Sequence, residues 1–164
     1  MIFDLYDFIL MKDSDDMNKY EINNDNFYLI INLKLPSYIV KMIFLKKNEN
    51  KSWDYFINTK KKEDLFYIQT DYINYNIIPS MFLKPLCISK NINTIFNLKD
   101  NHLTVEIDLN SSFIARNLFS MVYNLTHRII SDMCFFINHD NNLIPITIVR
   151  FNKFIFEGKY KKIE

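Results

Sequence analysis

A single glycine, Gly158, stands in a chain of 164 residues. That scarcity restricts the folds open to the chain more than any motif does. Backbone at positive φ is cheapest for glycine, and without it such positions fall to Asn and Asp, the side chains that tolerate that region best. Asn23-Asn24-Asp25-Asn26 and Asp140-Asn141-Asn142 therefore mark turns. Gly-rich phosphate loops and nucleophile elbows are excluded for the same reason. Ile, Asn, Lys, Phe and Tyr supply 88 of the 164 residues, all with AT-rich codons, so the abundance of Asn and Lys follows coding bias rather than function. Lys outnumbers Arg 17 to 3, which argues against a dedicated phosphate reader, because only the guanidinium offers a bidentate fork.

Length and hydrophobic content (49%) fit one domain over 1–164 with a real core. No signal peptide fits: Met1-Ile2-Phe3-Asp4 has no positive region, and Asp7 breaks the apolar run. No apolar stretch reaches 18 residues, so no membrane span is expected. Cys87 and Cys134 are too few for a disulfide framework and sit in apolar runs, where free cysteine acts as a small hydrophobe. The expected setting is a reducing cytoplasm.

Periodicity supplies the elements. Leu103 to Leu109 alternates apolar and polar, the pattern of a strand with one wet face. Asn110-Ser111-Ser112 can cap a helix, and Ile114, Leu118, Met121, Val122, Leu125, Ile129 and Met133 follow on one arc. The spacing predicts a long amphipathic helix over about 111–135. Asp132 would lie at the centre of its apolar arc. It therefore requires either that the helix end or bend near Ser131, or that a buried partner be present, Arg128 being the nearest. Residues 27–35, 64–70, 143–151 and 154–160 are expected strands, with Pro145 at a strand start or edge. Residues 37–46 read as strand or short helix, with β preferred. Residues 52–58 read as a short helix, and 1–11 as either helix or strand. Residues 71–100 carry no assignable pattern. The expected fold class is α+β, an antiparallel or mixed sheet packed against the one long helix.

Chemistry-bearing motifs are scarce. His139-Asp140 lacks the further ligands a metal-dependent phosphohydrolase needs and reads as a turn histidine. His127 falls on the polar side of the expected helix. Asp13-Ser14-Asp15-Asp16 opens like a calcium loop, but Asn18 and Asn24 stand where the sharp-turn Gly and bidentate Glu belong. No HxxxH or CxxC spacing offers a zinc site. Lys60-Lys61-Lys62 is interrupted by Glu63 and Asp64, which weakens a nucleic-acid surface. No catalytic residue, cofactor or metal is expected.

Two features point to a protein partner. Residues 1–25 carry a net charge of −5 and the remainder +6, so Asp13, Asp15, Asp16, Glu21 and Asp25 form a candidate docking segment for a basic partner. Phe119 and Tyr123, one helical turn apart and off the main apolar arc, are candidate aromatic anchors. In size, composition and lack of motifs the chain resembles the immunity proteins of bacterial contact-dependent growth inhibition and related polymorphic toxin systems. That resemblance implies a cytoplasmic, non-enzymatic protein that blocks a toxin nuclease by stoichiometric binding. A viral or phage protein acting on a host factor shares the same character. A small hydrolase or transferase ranks third, because a chain so poor in glycine has few ways to bring backbone amides to an oxyanion.

Overall fold

The computed structural model describes residues 1–12, 25–73, 84–117 and 126–153. Strands take up 57% of them, in two sheets. Strands β1 (Phe3–Lys12), β2 (Tyr28–Lys34), β3 (Tyr38–Lys46), β6 (Asn93–Lys99) and β7 (His102–Asp108) form a five-stranded sheet in the order β1-β3-β2-β7-β6. Strands β4 (Phe66–Tyr72), β5 (Leu86–Cys87), β8 (Ile130–His139) and β9 (Asn142–Asn152) form a four-stranded sheet in the order β5-β4-β8-β9. All pairings are antiparallel except β2–β7, so the larger sheet is mixed. Two short helices, α1 (Lys51–Asn58) and α2 (Lys62–Leu65), connect the sheets in sequence between β3 and β4.

The inner faces of the sheets build one core. Leu29, Ile31, Met42, Phe44, Leu103, Val105 and Ile107 come from the larger sheet, and Phe66, Phe135, Ile137 and Ile146 from the smaller. Aromatic rings join the layers: Phe44 lies edge-on to Phe135 at 6.3 Å, and Phe135 stacks on Phe66 at 5.9 Å. Helix α1 closes onto this core through Trp53, 4.6 Å from Phe3, and Phe56. Its first turn is held by Asn50, whose Oδ1 accepts from the Ser52 and Trp53 amides at 2.9 and 3.1 Å.

The long helix over 111–135 is not what the chain forms. Ser112 Oγ does accept from the Ala115 amide at 3.3 Å, and residues 113–117 are helical. Residues 118–125 lie outside the described set. From Ile130 the chain is strand β8, so an α+β fold of one sheet on one long helix gives way to two packed sheets. The spacing of Ile129 and Met133 fits a helical face, but Met133, Phe135 and Ile137 also alternate. That alternation prevails because β8 gains partners on both sides, β4 and β9. Asp132 accordingly pairs with Arg150 on β9 rather than with Arg128, in a two-pronged contact with both oxygens at 2.7 Å.

Other expectations meet the structure more directly. β7 shows the buried–wet alternation read from residues 103–109. β2, β3 and β9 cover the strands expected at 27–35, 37–46 and 143–151, and α1 covers 52–58. Residues 1–11 resolve as a strand, and the strand expected at 64–70 begins only at Phe66, after the helical turn of α2. Pro145 sits on an edge strand, beside the register break between Phe135 and Phe136. Asp140 and Asn141 take φ of 52° and 61° at the β8–β9 turn, the role that missing glycine leaves to Asx residues. The strand expected at 154–160 lies outside the described residues.

Candidate functional site

Asp13, Asp15, Asp16, Glu21, Phe119 and Tyr123 lie outside the described residues, and Asp25 is exposed in the turn before β2. What the fold does bring together is a corner between α1 and the tip of the β8–β9 hairpin. The His139 ring stacks on Tyr55 with centroids 4.6 Å apart and planes 24° from parallel. Its Nδ1 shares a hydrogen bond with Ser52 Oγ at 2.9 Å, and its Nε2 lies 3.8 Å from Asp140 Oδ2. Tyr55 is 50% exposed, so one face of the ring is held and the rest is open.

Three exposed carboxylates lie close to these residues in sequence: Asp54 precedes Tyr55, Asp140 follows His139, and Glu49 stands just before α1. Lys46 is spread between Glu49 at 2.9 Å and Asp54 at 3.8 Å, with its own side chain largely covered. The corner presents a held aromatic ring with Asp140 beside it, while Glu49 and Asp54 are engaged by Lys46.

A serine, a histidine and an aspartate in contact invite a hydrolytic reading. The geometry gives it little to work with. The Ser52 and Trp53 amides nearest the hydroxyl are already bound by Asn50, so they are not free to receive an oxyanion. Asp140 is exposed and not within hydrogen-bond distance of the imidazole. The contact is better suited to fixing helix to hairpin. The chain gave no local signal for it: Ser52 and His139 are distant in sequence, and His139 reads there only as a turn residue.

A second surface lies along β6, the far edge of the larger sheet. Ile95 and Leu98 are 62% and 45% exposed on it. Beside its first residues opens a cleft of about 390 Å³ lined by Glu63, Asp64, Ser89, Lys90, Asn93, Thr94 and Ile95. Ser89 Oγ is buried without a hydrogen-bond partner. Cys87 stands behind the cleft, its thiol donating to the Glu63 carbonyl at 3.3 Å, and burial pushes its ionisation upward. On the outer face of the same sheet Lys34 meets Glu106 at 3.0 Å, while burial, with Lys99 and Lys41 nearby, keeps His102 below the usual histidine range.

Among the described residues no group of three or more His, Cys, Asp or Glu is placed to hold a metal ion, and no helix is long and apolar enough to cross a membrane. Compared with known protein families, characterised proteins and solved structures, the chain matches none.

Proposed function

We propose that the protein is a cytoplasmic stoichiometric inhibitor that binds and neutralises a basic partner protein, in the manner of the toxin-immunity proteins whose general character its sequence shares. The observation that carries this reading is the Tyr55–His139 corner. A tyrosine anchored on one face by a stacked ring loses little further freedom on binding, which is what makes such residues strong anchors. Asp140 beside the ring, with the exposed carboxylates of Asp54 on α1 and Glu49 just before it, suits Lys and Arg on the opposing surface even with Lys46 between the last two. The acidic segment around Asp13, Asp15, Asp16 and Glu21 would add long-range steering of the same sign.

The test is co-expression with the proteins encoded beside its gene, scored by growth and by isolation of a 1:1 complex. Tyr55→Ala should raise the dissociation rate by about tenfold or more, as removal of a central anchor does. Asp54→Asn with Asp140→Asn should instead slow association and flatten its salt dependence. Absence of both complex and protection disposes of the reading, and a host protein recovered in place of a toxin would favour the viral alternative. The Ser52–His139 contact favours one second reading, a small hydrolase. Ser52→Ala separates the two, since protection by binding should survive it and hydrolysis should not.

A further inference from the structure

We infer that two copies of this chain pair through β6, edge to edge and antiparallel, to make a continuous ten-stranded sheet across a two-fold axis. The inference goes beyond the inhibitor reading and does not depend on it. It starts from how the four sheet edges are finished. β1 carries a register break between Leu5 and Asp7 and the acids Asp4 and Asp7. β9 carries Pro145 and faces a second register break. These two edges also meet each other, the Ile2 amide donating to the Ile146 carbonyl at 3.0 Å and Phe8 lying edge-on to Phe151 at 5.6 Å. β5 is two residues long. Bulges, prolines, inward charges and shortness are the usual ways an edge is kept from pairing with another chain.

β6 has none of them. Asn93 to Lys99 runs in unbroken register with β7, without proline and with one charge, at its last residue. Among the described residues its outer side has no strand partner. Ile95 and Leu98 stand exposed along it. Such an edge is a template for a strand of matching length.

The strand that fits is β6 itself. In an antiparallel pair centred on Phe96 all seven residues find partners, and opposed residues keep the same face of the sheet, as pairing requires. Phe96 then opposes Phe96, Thr94 opposes Leu98, and Ile95 opposes Asn97. Asn93 opposes Lys99, which brings each ammonium to the mouth of the other copy's cleft. That cleft holds Glu63 and Asp64 against a single Lys90, with none of the three in a salt bridge among the described residues, so its charge favours one more cation. The charge match occurs twice by symmetry, as an isologous interface demands. Tyr55 and His139 are neither on β6 nor in the cleft lining, so the partner-binding corner is not consumed.

Sedimentation equilibrium of the full chain across a dilution series should show a particle of twice the 19.9 kDa chain mass at high concentration. Ile95→Lys should leave it monomeric. Lys99→Glu alone, and Glu63→Lys with Asp64→Lys alone, should each abolish association, because like charges then face one another at both ends. All of these positions are exposed, and circular dichroism serves as the check that each variant is folded. Mixing the two charge variants should restore a dimer, now made of one copy of each. A wild-type chain that stays monomeric at every concentration overturns the inference, as does a dimer indifferent to both Ile95→Lys and the charge exchange.

Discussion

The middle of the larger sheet and the middle of the smaller one are built differently. β2 buries six residues in succession and β3 six as well, so these strands are covered on both faces. Tyr28, Ile30 and Ile43 form a second cluster there, on the side away from the main core, with Ile9 and Leu45 against it. β4, by contrast, alternates, and on β9 Ile148 is exposed while Thr147 and Val149 are buried. Strands β2 and β3 thus run through the interior of the molecule, and the smaller sheet is one of its walls. Two polar residues, Asn32 and Lys41, are paired in register within the buried middle, and a one-residue slip would move both into the apolar layer beneath.

The difference can be tested most sharply by equivalent truncations on the two outward faces. Ile43→Ala should cost about 2–5 kcal/mol in urea unfolding, the transfer and cavity loss of a buried isoleucine. Ile148→Ala, on the outward face of the wall, should cost less than about 1 kcal/mol. Equal costs would show that both sheets are covered on their outer sides.

A smaller effect is expected at the Asp132–Arg150 contact on the wall. The hydrogen bond from Arg150 holds the Asp132 carboxyl below its ordinary range against a lesser opposing effect of burial. A depressed carboxyl contributes stability above its unfolded pKa of about 3.9, and that contribution is lost as pH falls through the folded value. Asp132→Asn should therefore be less stable than the parent at neutral pH, and the gap should close below about pH 4. A gap that persists at low pH would mean that shape rather than charge sustains the contact.

The smallest effect in energy concerns Cys134, also on the wall. Burial, and secondarily Asp132, push its thiol up to about 11. Little thiolate exists at neutral pH, so iodoacetamide should modify Cys134 at least about a hundredfold more slowly in the folded chain than in urea. Comparable rates would place the thiol in open solvent.

What could be read from the chain follows the same division. β7 was legible because Leu103, Val105 and Ile107 alternate with polar residues on a strand wet on one side. The hairpin turn was legible because Asp140 and Asn141 are the residues left to adopt positive φ. β2 was legible from its apolar run ending before Pro36, whereas β3 read as strand or short helix, because a strand buried on both faces has no alternation to separate it from a buried helix. Residues 130–139 misled because Ile129 and Met133 satisfy a helical spacing, while the pairing with β4 that decides the matter comes from the far side of the chain. β6 was unassigned for lack of local pattern. The Tyr55–His139 corner was invisible for a related reason: only the completed hairpin carries His139 to α1.

The parallel pairing of β2 with β7 has a consequence for how the molecule assembles. Tyr28 lies beside His102 and Lys34 beside Asp108, with both helices and four other strands threaded between them in sequence. No hairpin can deliver that contact; the intervening chain must be closed into a loop first, and its entropy is spent before the central strands are rewarded. The β8–β9 hairpin has no such debt. Refolding from urea should show the hairpin amides protected early and those of β2 late, with an overall rate in the range of about milliseconds to seconds that non-local β topologies follow. During that interval β2 and β3, buried on both faces in the folded chain, are the last to find those faces covered, so the partly folded chain exposes apolar strand surface that the native one hides.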